Sequence, residues 1–94
     1  MKVEILQEIN PTFRVNPEQI TYNKNDYKVV FNKEYESKPE GKTDKQICDW
    51  YFEMSNMTHL DGFEGHSLSV SDIVVIDGKA YICDSFGWKE IELA

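Results

Sequence analysis

The residues best equipped for chemistry crowd into the last third of the chain: His66 and Ser67, then Asp72, then Asp84 and Ser85. A serine nucleophile needs a histidine base and a carboxylate to orient that base. His66 with Ser67 or Ser85, and either Asp72 or Asp84, would supply one of each. The Gly-x-Ser-x-Gly elbow that presents such a serine in many hydrolases is absent. The competing reading makes His66 a structural histidine whose ring bonds a carboxylate or a backbone carbonyl. Ser69, Ser71 and Asp72 then form a polar turn that starts a strand, because Ser and Asp side chains bond nearby backbone groups. Cys48, His59, His66 and Cys83 carry metal-ligating atoms, but their separations of 11, 7 and 17 match no close zinc-binding pair. Asp61, Glu64, Asp72, Asp77 and Asp84 lack the alternating spacing of a calcium loop. Nothing resembles a phosphate-cradling loop or a dinucleotide fingerprint. No catalytic residue, metal or cofactor is therefore assigned.

Charge bears on solubility and on partners. Residues 1–45 balance eight Lys/Arg against eight Asp/Glu, whereas residues 46–94 hold only Lys79 and Lys89 against nine acids. The whole net charge of −7 thus lies in the second half. Nucleic-acid affinity rests largely on Lys and Arg neutralising phosphates, so direct binding of DNA or RNA through this half is disfavoured. An acidic face serves either solubility or a basic partner. Trp50, Tyr51, Phe52, Phe63, Phe86 and Trp88 form an aromatic set within forty residues. Most would fill a core. Phe52 falls off the expected helical stripe and Phe86 sits in a turn beside Gly87, so both are candidates to project toward a partner.

These residues need elements to hold them. Lys2 to Ile9 reads as a first strand, with Val3, Ile5 and Gln7 on one face, ended by Asn10-Pro11. Thr12 to Val15 reads as a short extended piece, and residues 18–26 as a polar turn cluster. Tyr27 to Glu36 is a second strand with Tyr27, Val29, Phe31 and Tyr35 on one face. Thr43 and Gln46 form a capping box that starts a helix over about Asp44–Ser55. Its stripe is Ile47, Trp50, Tyr51 and Met54, leaving Asp49 and Glu53 to solvent. Asp72 to Ile76 is a strand buried on both faces, turned by Asp77-Gly78 into Ala80–Asp84. Ser85-Phe86-Gly87 turns again into Trp88–Leu93, completing a three-strand meander.

Phe63-Glu64-Gly65-His66-Ser67-Leu68-Ser69-Val70-Ser71-Asp72 leads into that meander, and Asp84-Ser85-Phe86-Gly87-Trp88 closes its hairpin. In this order, and across Phe63–Ile91, the chain resembles the YodL-like domain, a module of proteins from Firmicute conjugative elements. The family has no established activity to carry over. The resemblance implies a portable module, with His59-Leu60 in place of the family's His-Pro and with Cys83 and Trp88 as apolar replacements for valine and phenylalanine. The first forty residues match only loosely.

The expected fold is a single α+β domain over residues 1–94, one helix packed on a curved, mostly antiparallel sheet of about five strands. No apolar run nears the roughly 18 residues of a membrane span and Met1-Lys2-Val3-Glu4 does not open a signal peptide, so a soluble, cytoplasmic protein is expected. The expected function is non-enzymatic: an accessory protein of a bacterial mobile element or prophage whose acidic half contacts a basic protein partner, such as a nucleic-acid enzyme. Its candidate contact residues are Phe52, Glu64, His66, Asp84, Phe86 and Trp88. The alternative is a small ligand-binding or hydrolytic domain built on His66, Asp72, Asp84 and Ser85.

Overall fold

A computed structural model describes all residues 1–94. Its elements run β1 (Lys2–Glu8), β2 (Thr21–Tyr22), a single 3-10 turn (Lys24–Asp26), β3 (Tyr27–Glu34), α1 (Asp44–Met57), β4 (Ile73–Ile76), β5 (Lys79–Asp84) and β6 (Gly87–Leu93). One curled sheet holds all six strands in the order β2-β6-β5-β4-β1-β3. Every neighbouring pair is antiparallel except β2 with β6. The α+β expectation holds, with one strand more than expected and one parallel pairing. The extra strand has no sequence signal because it is two residues long and is defined by its partner. Ile20 and Tyr22 carbonyls accept from Glu92 and Ala94 amides at 2.7 and 2.8 Å. Thr12–Val15 joins no strand, and Phe13 has φ 54°, outside the extended region.

Side chains alternate across β1, so the sheet carries a core on each face. Val3 and Ile5 meet Val74, Ile76, Tyr81 and the helix residues Ile47, Cys48 and Tyr51. Leu6 points the other way, to Ile73, Ile82, Ile91 and Tyr22. β4 is buried on both faces, as its β-branched run implies. The β4–β5 turn has Asp77 at φ 49° and Gly78 at φ 84°, the two positive angles that a type I′ hairpin requires.

Two expected faces are corrected. In β3, Ile5 pairs with Phe31 and Leu6 with Val29, which leaves Val30 as the extra residue of a bulge. Val30 and Phe31 are therefore both buried, while Val29 is half exposed. Strict alternation fails at that step. In α1, the capping box forms, with Thr43 Oγ1 accepting from the Gln46 amide at 3.2 Å and Gln46 Oε1 accepting from the Thr43 amide at 2.9 Å. The buried stripe is rotated: Cys48 is fully buried and Trp50 is 49% exposed. Phe63, Leu68 and Trp88 come from the loop and from β6 to cover the Cys48 side. Packing partners distant in sequence set the rotation.

Candidate functional site

The loop between α1 and β4 is built on a buried glutamine. Gln7 continues the inward face of Val3 and Ile5 and is fully buried. Its Nε2 donates to His66 O at 2.8 Å and to Asp72 Oδ2 at 3.1 Å, and its Oε1 accepts from the His66 amide at 3.2 Å. Gly65 lies directly over this side chain: a Cβ there would sit 2.0 Å from Gln7 Oε1. The glycine is thus required for close approach. Asp72 Oδ2 also accepts from the Ser69 amide at 2.9 Å, and the Asp72 amide donates to Ser69 O at 3.2 Å. That four-residue turn puts Ser71 at φ 82°, a conformation normally supplied by glycine. Ser71 is held there by burial and by its amide donating to Cys83 O at 2.9 Å.

Asp72 is almost completely enclosed. Burial raises its pKa from 3.8 to about 6, outweighing the hydrogen bond from Ser69, the nearby His66 and the hydrogen bond from Gln7, which lower it. His66 places Nδ1 at 2.8 Å from Ser67 O and 3.9 Å from Asp72 Oδ2. A carbonyl oxygen only accepts, so Nδ1 carries the proton in this arrangement. The 3.3 Å approach of Gln7 Nε2 to Nδ1 is then a contact between two donors. The imidazole is 40% exposed and Phe13 stands against it edge-on, ring centroids 5.6 Å apart.

The catalytic alternative is only half assembled. His66 and Asp72 meet, but Asp84 and Ser85 belong to the β5–β6 turn, where Asp84 Oδ1 accepts from the Phe86 amide at 2.8 Å. Asp84 follows the inward-facing Cys83, and its field is felt by Tyr22 on the opposite face of the sheet. Ser67 Oγ donates to Ser55 O at 3.0 Å, and no serine hydroxyl bonds a histidine nitrogen. Cys48 and Cys83 are buried free thiols. Burial, followed by the nearby Asp72, Asp84 and Asp49, pushes Cys83 up to about 11. No three His, Cys, Asp or Glu side chains converge as a metal site.

The interaction candidates fall into different places. Phe86 is 99% exposed at the tip of the β5–β6 turn, and Glu64 is exposed while its amide donates to Val30 O at 2.8 Å. Asp84 is half-buried as the brace of that turn. Phe52 is half-buried against the helix-side core. Trp88 is buried in that core, and its indole N–H donates to Asp49 Oδ1 at 2.9 Å, so it anchors α1 to β6 rather than projecting outward. Asp49, expected simply to face solvent, is that anchor's acceptor. The alternation of β1 puts Gln7 on one face with Val3 and Ile5 but gives it no role, and nothing in the sequence singles out Phe13. A polar residue in register with Val3 and Ile5 was the available signal for Gln7; Phe13 had none.

The signature loop is therefore one hydrogen-bonded unit with the start of the chain. The family model of the YodL-like domain matches residues 4–93. The chain belongs to the YodL-like domain family. The match takes in β1 and β3 as well as the meander, which suits a YodL-like loop whose keystone is Gln7. No curated protein and no solved structure matches the chain.

Proposed function

We propose that this YodL-like domain is a non-enzymatic interaction module, an accessory protein of a bacterial mobile element or prophage. Its acidic half would engage a basic surface on a protein partner, with a nucleic-acid enzyme as the favoured class. The observation that carries the reading is the exposure of Asp49, Glu53, Asp61, Glu64, Asp77, Glu90 and Glu92 in a half with only two lysines. Phe86 adds an apolar contact on the same half, held on a braced turn. Charge provides steering and selectivity, and the aromatic ring provides area that leaves water. No helix is long and apolar enough to cross a membrane.

Capture of partners from host lysate by the tagged chain tests this, with a Glu64→Lys/Phe86→Ala variant as control. Both side chains are exposed, so the variant should keep its fold, checked by circular dichroism. The expected result is a basic nucleic-acid-handling protein, lost between about 50 and 300 mM salt and absent from the variant. A complex indifferent to salt, or no specific partner from a folded sample, rejects the proposal.

A further inference from the structure

Where β1 begins and β3 ends, the first turns of α1 overhang a cleft of about 430 Å³. Its walls are Tyr35, Pro39, Ile47, Trp50 and Tyr51, and Lys42 is the one charged side chain among its lining residues. The Tyr35 and Tyr51 hydroxyls bond each other, one as donor and one as acceptor, and their rings add apolar surface to the wall. Trp50 stands edge-on to Tyr51 at 5.0 Å with half of its surface in water. Nothing else in the chain covers it.

Phe86 is the most exposed large apolar side chain of the molecule. Asp84 fixes its amide, so the ring is displayed by a defined turn. Strand register puts the two features at opposite ends of the sheet. Val3 pairs with Ile76 and Ile73 with Ile82, which sends the β5–β6 turn away from Met1 and Tyr35. Phe86 cannot fill the cleft of its own chain.

We propose that the cleft receives Phe86 from a second copy of this chain. An aromatic knob beside the Asp84 carboxylate matches an aromatic-walled cleft whose only charged side chain is the Lys42 ammonium. Two copies side by side and antiparallel would fill both clefts at once and close as a two-fold dimer; head-to-tail contacts would propagate a chain. A single ring and its turn bury less than the roughly 1,200 Å² of a stable interface, so the association is weak and reversible. Its dissociation constant belongs on the order of 0.1–1 mM. This inference is independent of the basic partner, and the two contacts would compete for Phe86.

Sedimentation equilibrium of the full chain tests it, at concentrations up to about 2 mM, above the expected dissociation constant. Association should rise with concentration and weaken at least about tenfold in Phe86→Ala and in Trp50→Ala. Circular dichroism should confirm that both variants remain folded. The first variant keeps the cleft and the second keeps the knob, so their mixture should associate more strongly than either alone. Either discrete dimers or longer chains support the contact. A strictly monomeric wild type, association unchanged by both substitutions, or a mixture no more associated than its components would overturn it. None of these results bears on lysate capture, which uses protein far too dilute to pair with itself.

Discussion

Asp72 is the residue whose chemistry departs most from its sequence appearance. Its carboxylate is enclosed, receives hydrogen bonds from Gln7 and Ser69, and still has a raised pKa because burial outweighs those bonds. The sign follows from linkage. The folded state holds this proton more tightly than the unfolded chain, so the contribution to stability grows as pH falls from about 6 toward 4 and is flat above about 7. Asp72→Asn should remove that slope in urea titrations between pH 4 and 7. At neutral pH it should match or exceed the wild type, since an amide oxygen can still accept both hydrogen bonds. A second residue prediction concerns Tyr22, whose hydroxyl is buried without a partner. Tyr22→Phe should stabilise by about 1 kcal/mol, read as a higher melting temperature, because a desolvated donor is removed at constant shape.

At the scale of elements, the bulge in β3 decides what the neighbouring loop can rest on. Val30 is the unpaired extra residue, and its carbonyl accepts the Glu64 amide while its Cβ lies beneath Gly65. Period-two alternation assigns Val29 inward; the bulge exchanges the two valines. Val30→Ala should cost roughly 1–3 kcal/mol, whereas Val29→Ala should stay within about 0.5 kcal/mol, measured by denaturant midpoints. The helix offers the complementary case. Its start was legible in Thr43 and Gln46 because a capping box is a local hydrogen-bond pattern. Its buried face was legible only to within one position, because Cys48 and Trp50 compete for the core and the winner is set by Phe63, Leu68 and Trp88. Trp88 itself changes meaning at this scale, from a candidate contact residue to the pin between β6 and Asp49.

Across the whole molecule, charge and topology act together. The second half carries seven exposed acids and only two bases, Lys79 and Lys89, so self-repulsion opposes compactness. Raising salt from about 10 to 300 mM should therefore raise the melting temperature by a few degrees, through screening over the shortened Debye length. A fall with salt would show that specific ion pairs outweigh the repulsion. The sequence by itself determined the domain class, β1, the start of α1, the type I′ hairpin, the meander and the family. Each rests on residues near one another in the chain: alternation, a capping pair, an Asp-Gly turn, an ordered motif. Only the tertiary structure decided the parallel β2–β6 pairing, the bulge at Val30, the rotation of α1, and the clasp of Gln7 on His66 and Asp72. It also separated Asp84 and Ser85 from the histidine they were candidates to join. Those outcomes depend on which distant surfaces meet, and a hydrogen bond spanning 59 residues leaves no periodicity in the chain to read.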